Sequence, residues 1–230
     1  MHSWCVATGF QATTTTIDLV PTQPGTVPVK SVFGWIIIHQ NIGNGIDWEL
    51  PWADYKAGFG TITSNFWLGL ERLHLLTSTA DAKCSTIWQI FSVWFVLARL
   101  HLLTSGQPYR LRMEMQQESD GLWFSDEYWS FQIGDELTDK YRLNVSGYRG
   151  DGGNGLQTGT YRHDGMMFTT YDRDNDLPSN VNCGSARNGG WWFSHCYRVC
   201  PTCSGWRHQA HALPEGSLAA SRMMIKPTET

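Results

Sequence analysis

Apolar and polar positions divide this chain into two regimes that meet near residue 150. Before that point, short runs suited to strands and helices alternate with turn residues. GWIIIHQ at 34–40 is a β-branched run fitted to a buried strand. Further strands are expected at 109–116 (YRLRMEMQ), 122–133 and 140–148. Pro51 suits the first turn of a short helix, PWADYKAGF, which Gly58 and Gly60 would end. After Gly150 the chain is dominated by Gly, Asn, Asp and Ser, so long ordered loops replace regular elements.

The N-terminal stretch follows neither pattern. Residues 1–30 contain a Thr run at 13–16 with Pro21, Pro24 and Pro28, and they show no apolar period. They read as a disordered Thr/Pro-rich arm, with order beginning near Phe33 and a single folded domain over 31–230. The opening residues also lack a basic region followed by an apolar one, so export would depend on a signal outside this sequence.

RLHLLTS occurs twice, at 72–78 and 99–105, which marks a local duplication. One such pair is no solenoid. The fold is expected to use one copy and loop out an insert at 79–105, leaving Trp88, Phe91, Trp94 and Phe95 as surplus apolar surface. The apolar stretch from Ile87 to Ala98 has 12 residues and runs into Arg99 and His101. A membrane-spanning helix needs about 20, so no span is read here.

Composition narrows the function classes. With 17 basic and 21 acidic residues the formal charge is −4, and no Lys/Arg run stands out. Neither nucleic acid nor an anionic membrane is an expected partner. Twelve Trp and 23 Gly point instead to a loop-rich fold whose core and grooves rest on large aromatics.

The residues with the most chemistry lie between 165 and 203. Asp172, Asp174 and Asp176 alternate along an irregular segment, giving a hard, oxygen-rich site suited to calcium, although Asp also favours plain turns. An EF-hand is excluded, because Leu177 and Cys183 occupy the positions that need Gly and Glu. Cys183 and Cys196 would close a loop worth roughly 3 kcal/mol if oxidised. Cys200 and Cys203 with His208 and His211 form a zinc-like ligand set, with a local disulfide, free thiols and a redox pair as alternatives. Asn144-Val145-Ser146 is a glycosylation sequon inside an expected strand, modified only if Asn144 faces outward. His163 beside Asp164 reads as structural, and no nucleophile–base arrangement is evident.

From Gly34 onward, GWIIIHQNIGNGIDW, PWADYKAGFG, FWLGLERLHLLTS, DKYRLNVSGYRGDGGNGL, FTTYDRDND, NC…GGWWFSHC and SRMMIKP resemble, in order, the fibrinogen C-terminal domain family. YDRDND and MMIKP are closest in wording to the microfibril-associated glycoprotein 4 and ficolin type. The resemblance implies an α+β fold: an antiparallel central sheet with short helices, plus a loop-rich calcium-binding subdomain. It implies Asp174 and Asp176 as calcium ligands, Asp172 as peripheral, and Pro178 and Asn180 as carbonyl donors. It further implies a Cys183–Cys196 disulfide, a cis peptide before Cys196, and an acetyl-group pocket at Trp192, Phe193, His195, Cys196 and Tyr197.

The expected function is accordingly a secreted, calcium-binding recognition protein, not an enzyme. Its partners would be matrix components (microfibrils, elastic fibres) or the acetylated glycans read in innate immunity. The family also implies homo-oligomers assembled through collagen-like or coiled-coil segments, which this sequence does not show. Three departures favour the matrix role or a truncated, mis-assembled member without a working pocket. Cys5 stands alone, the C-terminal part from 197 is short and divergent, and Arg187 and Tyr197 replace the family's usual aromatic and His.

Overall fold

The computed structural model describes residues 15–18, 28–32, 34–43, 46–78, 108–196, 199–203, 207–208 and 216–228. Its strands are β1 (Thr15–Asp18), β2 (Pro28–Val32), β3 (Trp35–Asn41), β4 (Phe59–Gly60), β5 (Phe66–Trp67), β6 (Tyr109–Gln117), β7 (Trp123–Ile133), β8 (Leu143–Gly150), β9 (Arg207–His208) and β10 (Gly216–Pro227). Among the described residues four short helices accompany them: α1 (Trp52–Ala57), α2 (Leu70–Thr77), α3 (Glu136–Asp139) and α4 (Cys183–Ala186). The main path of the sheet runs β1-β2-β3-β10-β6-β7-β8, and every strand pair in it is antiparallel.

β6 shows how the sequence builds this sheet. Tyr109, Leu111, Met113 and Met115 alternate with Arg110, Arg112 and Glu114, and only the first set is buried. A strand of period two therefore gives one face to the core and one to solvent. On the solvent face Glu127 pairs with Arg110 at 3.2 Å and Arg112 at 3.4 Å, while Glu114 takes Arg112 and Arg222. Arg110 also lies over the rings of Trp35 and Trp129. The last long segment, β10, sits in the middle of the sheet between β3 and β6. Its register is set by Met223 and Ile225 on the core side, with Met224 and Ile37 forming a small cluster against Trp35 on the other.

The first RLHLLTS copy has a defined place in the fold. It forms α2, whose Leu70, Leu73 and Leu76 recur at helical spacing and are buried. The helix docks on the end of β7, where Thr77 Oγ1 accepts from the Ile133 amide at 3.0 Å and His74 Nδ1 meets the Ile133 carbonyl at 2.9 Å. The insert at 79–105, with the second copy, lies outside the described residues.

Two expectations need correction. The arm was expected to be disordered to residue 30, yet Thr15–Asp18 pairs with Pro28–Ser31 as an edge hairpin. Both segments are rich in β-branched residues, and Pro28 stands at the first position of its strand, where no ladder donor is lost. The strand expected at 140–148 begins only at Leu143. Asp135 caps the single-turn helix α3 by accepting from Leu137 and Thr138, and Lys140 and Tyr141 then take left-handed backbone (φ 49° and 55°) before the strand can start.

Candidate functional site

Residues 150–196 and 199–203 pack against the core side of the sheet, and their backbone is held by side chains more than by ladders. Thr169 and Trp191 exchange both backbone bonds, at 2.9 and 3.1 Å. Asn175 ties the acidic segment down by donating to the Phe168 carbonyl at 2.8 Å, and its own amide donates to Thr169 Oγ1. Asp126, an isolated carboxylate on the inner face of β7, accepts from the Tyr148 hydroxyl and the Gly155 amide, and burial raises its pKa. It anchors the 148–155 turn. The only signal in the sequence was an acid at an inward position between Phe124 and Tyr128.

The three aspartates have separate roles. Asp172 Oδ1 accepts from the Trp52 amide at 2.8 Å and from Thr170 Oγ1 at 2.7 Å. It thereby supplies the cap that Pro51, which has no side-chain acceptor, cannot give α1. Asp174 is exposed, and its Oδ1 accepts weakly from the Asp176 amide at 3.4 Å. Asp176 is half-buried: Oδ2 accepts from the Cys183 amide at 2.8 Å, while Oδ1 is buried with no hydrogen-bond partner. Burial, and then the neighbouring Asp174 carboxylate, push the Asp176 carboxyl up to about 6. Pro178 and Asn180 lie in the turn leading to Cys183, and among the described residues nothing donates to their carbonyls.

Cys183 and Cys196 form a disulfide with Cα atoms 4.8 Å apart, and Asn182 caps α4 through the Ser185 amide at 3.0 Å. Inside this loop, Gly189 and Gly190 make room for other chain segments. A Cβ on Gly189 would lie 1.9 Å from the Thr202 carbonyl oxygen, and one on Gly190 would lie 2.7 Å from the Tyr55 ring. Trp191 and Trp192 are fully buried, with Trp192 Nε1 donating to the Tyr141 carbonyl at 2.7 Å. His163 sits between Trp192 O (2.7 Å from Nδ1) and the Val199 amide (3.2 Å from Nε2), which makes Nδ1 the protonated nitrogen.

The acetyl-group pocket is not assembled as expected. Trp192 and Phe193 are 0% and 1% exposed, enclosed in the core with Phe168 and Tyr55, so neither faces a ligand. The Cys196 carbonyl is taken by Arg187 Nε at 2.5 Å. No described peptide bond is cis, so the bond before Cys196 has the ordinary trans form, a non-proline cis bond costing about 3–4 kcal/mol. His195 and Cys196 keep partial exposure, with the His195 ring edge-on to Tyr161 at 5.3 Å. Tyr197 lies outside the described residues.

The zinc set is also overturned. Cys200 and Cys203 are joined as a disulfide, which removes the thiolates a zinc site needs. Of His208 only the backbone is described, and His211 lies outside the described residues. The divergent segment nonetheless packs: Thr202 Oγ1 donates to the Gly190 carbonyl at 2.5 Å and Asn41 donates to the Pro201 carbonyl at 3.3 Å.

This combination of a crossed antiparallel sheet and a disulfide-closed acidic loop subdomain defines a fibrinogen-type globe. Residues 30–87 and 89–227 match the family profile described as the C-terminal globular domain of fibrinogen beta and gamma chains, and the chain belongs to that family. Among curated proteins it is 31% identical to bovine fibroleukin over 164 residues, covering 71% of this chain and 31% of that protein. It is 31% identical to chicken tenascin-R over 166 residues, covering 72% and 10%, and 33% identical to fruit-fly (Drosophila melanogaster) protein scabrous over 163 residues, covering 71% and 16%. The chain thus spans less than a third of the length of these relatives. Among solved structures, the fibrinogen-like globe domain of human ANGPTL2 aligns with a TM-score of 0.69 at 24% identity, covering 95% of this chain and 94% of that one. Lamprey fibrin D-dimer, complexed with the peptide Gly-His-Arg-Pro-amide, aligns at 0.66 and 25% identity, covering 96% and 71%.

Proposed function

We propose that this chain is an extracellular recognition domain that binds calcium through Asp174 and Asp176 and engages matrix proteins through its loop subdomain. One observation carries the calcium reading: Asp176 Oδ1 is buried without a donor, beside a second carboxylate. An unpaired buried carboxylate oxygen costs several kcal/mol unless a proton or cation meets it. The donors at hand are hard oxygens, which suits calcium. Among the described residues no group of three acidic, His or Cys side chains could hold a metal ion, so on this reading the further ligands are the Pro178 and Asn180 carbonyls and water. Two carboxylates with neutral donors fit the weak affinities of extracellular modules, about 10⁻⁴–10⁻³ M.

Secretion is supported by the two disulfides, which persist in oxidising compartments. Among the described residues no helix is long and apolar enough to cross a membrane. The wording of YDRDND and MMIKP, and the likeness to tenascin-R, favour a matrix partner. Burial of Trp192 and Phe193 weighs against the acetylated-glycan alternative, which among the described residues would rest on His195, Cys196 and the neighbouring Tyr161. The test is thermal unfolding of the full chain with millimolar calcium and then with chelator. A transition that rises with calcium, and loses the rise in D174A/D176A, supports the reading. A broad transition indifferent to calcium would favour a mis-assembled family member.

A further inference from the structure

We propose that Asn144 carries an N-linked glycan, placed on the face of the sheet opposite the loop subdomain. The proposal rests on the extracellular reading above. Asn144-Val145-Ser146 is the one Asn-x-Ser/Thr sequence in the chain. In the structure it lies on β8, the last strand of the sheet, with both Asn144 and Ser146 exposed and Leu143 and Val145 buried. Residues two apart on a strand share a face, so the amide to be modified and the hydroxyl that completes the sequon point outward together.

The surrounding bonds leave this site free. Asn144 lies opposite exposed Gln132 in the β7–β8 ladder, and Ser146 opposite exposed Ser130. The outer edge of β8 is already satisfied by other groups. Leu143 donates to the Met166 carbonyl at 2.9 Å and accepts from the Gly165 amide at 2.8 Å. The Val145 amide donates to Asp164 Oδ1 at 2.9 Å, and its carbonyl accepts from Gln157 Nε2 at 2.9 Å. No described hydrogen bond uses the Asn144 side chain, so a sugar on Nδ2 breaks nothing in the fold. The buried neighbours Leu143 and Val145 belong to the same core as Trp191 and Trp192. Alternation therefore sends the glycan away from Asp174, Asp176 and the disulfide loop.

The chemistry is a group transfer. A lipid-diphosphate-linked oligosaccharide, present in the secretory pathway, is the co-reactant. Asn144 Nδ2 forms a bond to the sugar's anomeric carbon, the bond from that carbon to the diphosphate oxygen breaks, and the Nδ2 proton leaves with no redox change. The product is a neutral, hydrated shield over an exposed face that includes Trp129, which packs on Gly147 of the same strand.

The full chain, expressed in mammalian cells behind a supplied cleavable signal, gives a direct test. Peptide-N-glycosidase treatment and peptide mass spectra are read on both medium and lysate. The expected result is a single glycan, removed by the enzyme with deamidation at 144. Modification should be absent in N144Q and S146A and retained in S146T. Wild-type protein with unmodified Asn144 in both fractions would overturn the proposal. Because N144Q is remote from the acidic loop, its calcium response should match wild type. A lost glycan with an intact calcium shift counts against this inference alone, and a glycan without a calcium shift counts against the calcium site alone.

Discussion

The Tyr55 hydroxyl joins two parts of the chain that lie 135 residues apart, accepting from the Gly190 amide at 2.9 Å and donating to the Trp48 carbonyl at 2.8 Å. It lies wholly inside the protein, and burial raises its pKa well beyond the usual tyrosine range. Through it, helix α1 fixes the position of the Gly-Gly-Trp-Trp segment and hence the disulfide loop. Asp172 adds a second tie from the acidic loop to the same helix.

Removing that hydroxyl strands a buried amide and a buried carbonyl. Y55F should therefore lose about 1–3 kcal/mol in urea unfolding. G190A should also destabilise by about 1–3 kcal/mol, because its Cβ meets the Tyr55 and Phe168 rings at 2.7 and 2.8 Å. The two effects should be non-additive, since each displaces the same contact.

His39 sets an acid limit on stability. It is fully buried between Trp48 and Trp67, its Nε2 meets Ser221 Oγ at 3.1 Å, its Nδ1 has no partner, and burial lowers its pKa to about 3. In the unfolded chain it titrates near 6.5, so below that pH the unfolded state gains a proton the native state refuses. Its contribution is intact above about pH 6.5 and declines by about 1.4 kcal/mol per unit as pH falls toward 3. Unfolding midpoints at pH 7.5, 6, 5 and 4 should show a shallower slope, by about one proton, in H39Q than in wild type. Equal slopes would show that His39 is protonated in the native state.

Calcium should stabilise by mass action. With an affinity of about 10⁻⁴–10⁻³ M, roughly 5 mM calcium adds about 1–2 kcal/mol, a Tm rise of a few degrees. D176N should abolish the rise, yet in chelator it should unfold no earlier than wild type, because it removes an uncompensated buried charge. A calcium-dependent rise retained in D176N would place the ion elsewhere.

The two disulfides should differ in weight. The Cys183–Cys196 bridge, with a separation of 13, should cost about 3 kcal/mol when both are changed to Ser. The Cys200–Cys203 bridge, with a separation of 3, should cost about 2 kcal/mol or less by the same loop entropy. Zinc added to the oxidised protein should leave its unfolding unchanged, read by calorimetry with and without a zinc-selective chelator.

Local pattern was enough for the strands at 35–41, 109–117 and 123–133 and for the helix after Pro51, because each depends on residues within a few positions of one another. The acidic triplet was legible for the same reason, as a short motif, and the Cys183–Cys196 pairing through the family resemblance. What each carboxylate does was not. Asp172 became a helix cap and Asp176 a buried, half-satisfied acid through Trp52 and Cys183, partners that only the folded chain brings near. The pocket aromatics went wrong in the same way, since Trp192 and Phe193 read alike whether they line a cleft or fill a core.

By itself, then, the sequence determined the strand positions and the acidic triplet, because periodicity and motif spacing are short-range properties, and its ordered motifs carried the family resemblance that implied the antiparallel sheet and the disulfide-closed loop. Tertiary structure decided the rest. It placed β10 in the centre of the sheet beside β3, gave the leucines of the first RLHLLTS copy a buried face, and turned Asn144 outward. Those outcomes depend on which surfaces meet across more than a hundred residues, and no local pattern encodes such a meeting.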